Sequence, residues 1–369
     1  MDLIYYYPLR GGAPAYVARN IFKYLLKQRK ELPFEPFENL KLFVASKYQK
    51  EVQKQFCDFE VITYKNINNI SKKSVIHIPI SPLIYPNSKF LLHLFAKFKI
   101  RKLILHFHGD IRKEIQLKFK YNHSLDFSYI PSYIAMPYLL RSADKLIVHS
   151  YLMSNLVESK YGVKNNVVIP NGIDDFWFEG SNETNIELNG EPTLFFHGRL
   201  SPEKGVDILI KGFAKAIGNQ SNASLCIAAG GSQEGYLKKL CRRLGIEKNV
   251  VFLGYINRNY IKSYLSNVDA AIYPSLWDNF PSAFMEAFSS ANGPVYFSKR
   301  AGVYDFVVRD GYHLNAFEPT IENISKIIKD GIDGNYDTQV VKQQKEFVRR
   351  YAWDRVVSQY IKVYIEIFH

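Results

Sequence analysis

Short apolar runs alternate with stretches of helically spaced apolar positions along nearly the whole chain. In the first half the runs are Leu3–Tyr7, Lys41–Ala45, Glu60–Tyr64, Val75–Ile80, Lys102–Phe107, Lys145–His149 and Val167–Ile169. Helical patterns fall between most of them: from the Gly11-Gly12 turn to about Lys27, then Tyr48–Phe56, Asn87–Lys99, Tyr133–Arg141 and Leu152–Tyr161. The second half repeats the alternation more cleanly. Its runs are Thr193–Phe196, Ser224–Ala228, Val250–Leu253, Ala270–Tyr273 and Pro294–Phe297. Its helical patterns are Val206–Ile217, Gly235–Leu244, Tyr260–Ser266, Ser282–Ala291, Val303–Val308 and Ile321–Asp330, with two more at Gln339–Tyr351 and Val356–Phe368. Apolar runs joined by helices predict parallel strands with crossover connections, an α/β chain built from doubly wound sheets. Between the halves, 176–192 is polar and rich in Gly and Asn, the composition of a linker. The expected layout is a domain over 1–175, the linker over 176–192, and a second domain over 193–350. A closing helix over 351–369 is expected to pack back on the first domain.

At 369 residues the chain is long enough for two cores of ordinary size. The three cysteines, Cys57, Cys226 and Cys241, are odd in number and far apart, which argues against a disulfide framework and for a reducing compartment. Met1–Arg10 lacks a basic lead followed by an apolar core, and the apolar patches near 75–98 are broken by Pro, His and Lys. Neither a signal peptide nor a membrane span is therefore expected, and the expected location is cytoplasmic. The charge changes that picture in one respect. Residues 1–175 carry a net +12 and residues 176–369 only +1. Within Lys89–Lys120, nine basic residues against two acidic ones are interleaved with Phe90, Phe95, Phe98, Phe107 and Phe119. A basic, aromatic surface suits an anionic membrane face; no recognition-helix, zinc-finger or RNA-binding signature accompanies it, so nucleic acid is not an expected partner.

The candidate chemistry concentrates at strand ends. In Thr193–Phe213, an apolar run leads into His197-Gly198-Arg199, then Lys204-Gly205 and a helix. Two fixed cations beside a helix start make a receptor for a compact dianion, although Arg and Lys are also ordinary surface residues. A second stretch, Tyr273–Ala287, ends a strand at Pro274, presents Asp278 in a loop and places Glu286 one turn into a helix starting near Ser282. These acids fit either a polyhydroxylated ligand or the helix dipole and cap. In the first half, Gly11-Gly12 follows the first strand and permits close backbone approach, or is a plain turn. His108, in His106-Phe107-His108-Gly109-Asp110, closes a strand where open α/β sheets bind ligands; no partnered His, Cys or Glu spacing turns it into a metal site. The Gly230-Gly231 turn again permits close approach.

HGRLSPEKG with Arg199 and Lys204, followed by PSLWDNFPSAFMEA with Asp278 and Glu286, resembles the retaining GT-B glycosyltransferases of family 4 (the group 1 type). VIPNGID at 168–174, Gly11-Gly12 and the His-Gly of HGD fit the same family. The resemblance is firmest from about Val167 to Val308. It implies two Rossmann-like domains facing each other across a cleft, with a UDP- or GDP-sugar as donor and no metal or other cofactor. Arg199 and Lys204 would bind the diphosphate and stabilise the departing nucleotide. Glu286 would hold the ribose hydroxyls, while Asp278 and the backbone of Asn279, Phe280, Pro281 and Ser282 would hold the transferred sugar. His108 would line the sugar position, Gly12 would approach the phosphates, and the backbone at Tyr255 and Ile256 would face the base. Gly198 and Gly230 would complete the donor side; Gly11 and Asn171 would lie on the side of a glycan or lipid-linked acceptor. The resemblance implies a role in surface glycan synthesis, on or near the inner membrane face. Two departures stand out: Asp278-Asn279-Phe280-Pro281 replaces the commoner Glu-Gly-Phe-Gly, and Arg300–Asp305 stands where Gly-Gly and Glu are more usual. They leave a weakly active or non-catalytic partner subunit of a glycosyltransferase pair as an alternative; a sugar-nucleotide epimerase of the same architecture, which would share the diphosphate site, is another.

Overall fold

The computed structural model describes residues 2–10, 12–29, 40–80, 88–98, 101–110, 112–113, 115–116, 119, 130–180, 186, 188, 190–218, 222–332 and 338–368. The chain divides into two compact units, 1–172 with 353–369, and 173–352.

In the first unit, seven parallel strands lie in the order β3-β2-β1-β4-β5-β6-β7. They are β1 (Leu3–Tyr6), β2 (Leu40–Phe43), β3 (Val61–Ile62), β4 (Val75–Ile80), β5 (Lys102–Phe107), β6 (Lys145–Val148) and β7 (Asn166–Val168). Strands β1 and β4 are buried at every position, as expected of parallel strands covered on both faces. The helices are α1 (Ala13–Arg29), α2 (Gln49–Gln55), α3 (Ser88–Phe98), α4 (Ile130–Arg141) and α5 (Tyr151–Tyr161). Helix α5 shows how local sequence sets these bounds. Ser150 caps its start by accepting from the Met153 amide at 3.2 Å, and Gly162 ends it at φ 67°, a conformation costly for any residue with a Cβ.

The second unit repeats the plan with β8 (Thr193–Arg199), β9 (Ser224–Gly230), β10 (Val250–Phe252), β11 (Ala270–Tyr273), β12 (Val295–Ser298) and β13 (Ala316–Phe317), in the parallel order β10-β9-β8-β11-β12-β13. Its helices are α6 (Val206–Ile217), α7 (Glu234–Arg243), α8 (Arg258–Asn267), α9 (Ser282–Ser290), α10 (Val303–Arg309), α11 (Ile321–Ile332) and α12 (Thr338–Arg349). Helix α6 buries Val206, Leu209, Ile210, Phe213 and Ile217, the stripe its periodicity predicts. In each sheet the strand order reverses about one pair, β1/β4 and β8/β11, and such reversals open a crevice at the carboxyl ends of the strands.

Three features differ from the sequence expectation. Strand β8 continues three residues past Phe196, because β9 runs to Gly230 and pairs Arg199 in register. Strand β13, two residues at a sheet edge, is too short to show a period. The start of the polar stretch is packed rather than loose. Trp177 is buried, its carbonyl accepts from Ser289 Oγ at 2.8 Å, and Lys262 Nζ donates to the Phe176 carbonyl at 2.6 Å.

The last helix, α13 (Trp353–Phe368), belongs to the first unit. Trp353, Tyr360 and Tyr364 are fully buried there, and Gln28 Nε2 donates to the Asp354 carbonyl at 2.6 Å. The Trp353 indole lies directly against Gly172, where a Cβ would meet it at 2.2 Å. Gly172→Ala is therefore expected to destabilise the protein by about 1–3 kcal/mol through overpacking. Chemical denaturation of the variant against the parent checks this, and an unchanged midpoint would contradict the contact.

Candidate functional site

The second unit gathers most of the sequence-predicted residues at the β8/β11 reversal. Arg199 ends β8; its side chain is 69% exposed and its guanidinium donates to Glu203 Oε1 at 3.0 Å. Ser201 Oγ donates to the same carboxylate oxygen at 2.5 Å. One 3-10 turn later, Lys204 is mostly buried and forms an ion pair with Asp278. Gly205 follows at φ 65°, with the Pro274 carbonyl 2.3 Å from where a Cβ would sit, so only glycine fits this crossing of loops. The loops are also tied through backbone: Leu276 N–H donates to the Glu203 carbonyl at 2.8 Å, and Gly302 N–H to the Asp278 carbonyl at 2.9 Å. The basic loop and the acidic loop are thus one assembly.

Within that assembly Asn279, Phe280 and Pro281 are buried, and the Phe280 ring meets Phe306 edge-on at 5.4 Å. Pro281 caps α9 without a side-chain acceptor, and Ser282 opens the helix. Glu286 lies one turn further. His197 Nε2 lies 2.9 Å from Glu286 Oε2, and Tyr273 Oη lies 2.7 Å from His197 Nδ1. A carboxylate only accepts, so His197 donates through Nε2 and its Nδ1 accepts from the tyrosine hydroxyl. Burial, with the nearby Glu286 charge, pushes the Tyr273 phenol well up, so the hydroxyl keeps its proton. This buried chain holds Glu286 in one orientation. His197 and Tyr273 were not singled out from sequence as supports of Glu286; their spacing of 76 residues hides the pairing, although both sit at strand ends beside predicted site loops.

On the other flank, Gly198 has φ 147° and Gly230 lies under the Tyr255 ring, 2.4 Å from a would-be Cβ. Tyr255 is 82% exposed and Ile256 follows it in the same loop before α8. A bare glycine beneath an exposed aromatic ring leaves a flat surface open to a planar ligand.

The remaining predicted residues belong to the first unit, except that Gly11 lies outside the described residues. Gly12 precedes α1 with nothing within 4 Å of a would-be Cβ. Asn171 is buried beside the Gly172–Trp353 contact. His108 follows β5 and lies among histidines: its Nδ1 is 3.0 Å from His149 Nε2, and its ring is 4.3 Å from that of His106. No partner for His108 is visible in its local spacing; the sheet supplies His106 two residues earlier and His149 from just past the end of the next strand. Burial holds His106 and His108 well below the usual imidazole range and lowers His149 to about 4, so all three are neutral near pH 7.

With this geometry in view, the chain can be compared with known proteins. Two α/β units, each with a parallel sheet reversed about one strand pair, make the GT-B class of fold. Residues 181–348, most of the second unit, match the family model of glycosyl transferases group 1. An uncharacterized glycosyltransferase of Methanocaldococcus jannaschii is 27% identical over 210 residues, 53% of each chain. The alignments with the first curated relatives span between about half and two-thirds of those proteins. Among solved structures, Anabaena Alr3699/HepE in complex with UDP superposes with a TM-score of 0.70 at 16% identity, covering 99% of this chain and 100% of that one. Sucrose-phosphate synthase from Thermosynechococcus elongatus gives a TM-score of 0.73 at 15% identity, covering 100% and 99%. Identities this low establish the fold and leave the activity to be argued from the site. Among the described residues, no helix is long and apolar enough to cross a membrane.

The buried histidines outside the predicted site also carry a pH consequence. Burial lowers His77 to about 3 and His93 to about 4. Both take up a proton in the unfolded chain near pH 6.5 and resist it when folded. Stability is therefore full above pH 6.5 and falls with acidification, by about 1.4 kcal/mol per pH unit for each group, until the folded pKa is reached. Urea unfolding at pH 7 and pH 5 measures this, and His77→Gln should make the decline shallower.

Proposed function

We propose that the protein is a retaining glycosyltransferase that moves a sugar from a UDP- or GDP-sugar to a glycan or lipid-linked acceptor. The observation that carries this reading is the paired assembly at the β8/β11 reversal: a guanidinium and an ammonium beside two carboxylates, held by crossing loops. Breaking the glycosidic C–O bond puts growing negative charge on the leaving diphosphate. Arg199 and Lys204 act there, where preorganised cations favour the transition state over the ground state. Because both cations are side chains, the transfer itself needs no metal. On donor binding Lys204 exchanges Asp278 for a phosphate oxygen, and Asp278 turns its acceptor oxygens to a sugar hydroxyl. Glu286, fixed by His197, accepts from the ribose hydroxyls. Tyr255 and Ile256 face the base across Gly230. The acceptor attacks from the face that the diphosphate leaves, which retains the anomeric configuration. We assign donor binding to 193–350 and acceptor binding to 1–175, with Gly11 and Asn171 on the acceptor side.

A second reading, a weakly active partner subunit, is favoured by one observation: Asp278 already neutralises Lys204. Assays of UDP or GDP release over a panel of donors separate the two. In the enzyme, Arg199→Ala or Lys204→Ala should lower turnover by roughly 10²–10³-fold, as loss of one oxyanion donor does, and Glu286→Ala should weaken donor binding. Donor binding seen by thermal shift with no turnover under any condition supports the partner subunit; indifference of turnover to all three substitutions defeats the enzyme reading.

We also propose that the first unit docks on an anionic membrane face. Helix α4 turns Ile130, Tyr133, Ile134 and Tyr138 outward, at 43–71% exposure, and the Arg112 guanidinium lies 5.4 Å over the Tyr133 ring. Apolar side chains with nearby cations, in a half that carries +12, suit the headgroup region. Co-sedimentation with vesicles containing phosphatidylglycerol should fall with salt and with Ile134→Asp. Binding indifferent to both lipid charge and salt would overturn the assignment.

A further inference from the structure

We propose that His106, His108 and His149 form a binding site for one divalent transition-metal ion, of the zinc or cobalt class, inside the first unit. One ring nitrogen from each residue lies within 4.8 Å of the other two. The three rings close on one another, with centroids 4.3, 4.4 and 4.7 Å apart. All three residues come from the carboxyl ends of neighbouring strands. His106 is in β5, His108 just follows it, and His149 just follows β6, so the backbone that positions them is a rigid parallel ladder.

Two details point to an ion rather than to ordinary packing. His106 Nδ1 is buried with no hydrogen-bond partner, although the ring sits in the cluster. An orphaned imidazole nitrogen in the interior needs a reason, and an ion or a water is the usual one. On two of the three histidines the ring nitrogen turned away from the pairings is occupied, as in metal-bound histidines. His149 Nδ1 lies 3.2 Å from the Ile169 carbonyl, and His106 Nε2 lies 3.2 Å from Tyr360 Oη. A carbonyl only accepts, so His149 carries its proton on Nδ1 and offers the Nε2 lone pair toward His108. Such outer bonds fix the tautomer and aim the free lone pair at the metal. Imidazole donors without a carboxylate select zinc, copper or nickel over magnesium or calcium. His108 Nδ1 and His149 Nε2 already stand 3.0 Å apart, close to the spacing of two nitrogens on one tetrahedral ion; modest side-chain rotation brings His106 into the third position and water takes the fourth.

The proposal does not depend on the glycosyltransferase reading, and it is tested without an activity assay. The full chain is stripped with EDTA and titrated with Co²⁺ under visible spectroscopy, and with Zn²⁺ by calorimetry. One equivalent should bind with the intense d–d band of four-coordinate cobalt, and loading should raise the thermal midpoint. His149→Asn should abolish the band. Tyr360→Phe, which keeps the packing and removes only the outer hydroxyl, should weaken binding by about 10–100-fold. A weak octahedral spectrum, or binding unchanged in both variants, overturns the site and leaves the nitrogens to a buried water. If His149→Asn does not fold, as judged by circular dichroism, the parent spectrum and the Tyr360→Phe titration decide.

Discussion

The candidate site depends on the register of three parallel strands, β9, β8 and β11. Because β8 and β9 stay paired to their last residues, Arg199 and Gly230 end level with each other, and the chain leaves both strands at the same edge. Because β11 takes the other side of β8, the Pro274 loop leaves next to the basic loop, close enough that Gly205 admits no side chain. Every later contact follows from this adjacency. Glu203 and Leu276 share a backbone hydrogen bond, Lys204 meets Asp278, and His197 reaches Glu286. A one-residue slip of β8 would turn His197 to the opposite face and move the basic loop out of step with the loop that carries Asp278.

Much of this was legible in the sequence because it rests on local patterns. Continuous apolar runs and helical stripes carry the doubly wound α/β plan, and they put Arg199 and Lys204 in the loop after one strand and Asp278 and Glu286 in the loop and helix after another. Partners distant in the chain were not legible. Nothing in the spacing joins His197 to Tyr273, or His108 to His149, since those contacts are products of strand order and not of local periodicity. The extension of β8 to Arg199 was hidden for the same reason: glycine at 198 reads as a turn until its neighbour β9 supplies hydrogen bonds to hold it extended.

The ion pair of Lys204 with Asp278 bears on the shorter acid of this loop. A carboxylate on a short stem sits close to the backbone that carries it, and here that backbone is fastened to Gly302. The acid is therefore held against the lysine by the loop's own path. Glu286 is treated differently: its partner is the His197 imidazole rather than an ammonium group. The two acids, eight residues apart, thus occupy distinct electrostatic settings: one is paired with an ammonium group and the other with an imidazole.

The placement of α13 has a consequence for how the molecule is made. The hydroxyls that meet His77 and His106 come from Tyr364 and Tyr360, and the indole that covers Gly172 comes from Trp353. All three are synthesised after the whole of the second unit. The amino-terminal sheet must therefore wait on the ribosome with one face uncovered while the downstream sheet, whose strands and helices are contiguous, can close first. Vectorial synthesis and completion of the two cores run in opposite order.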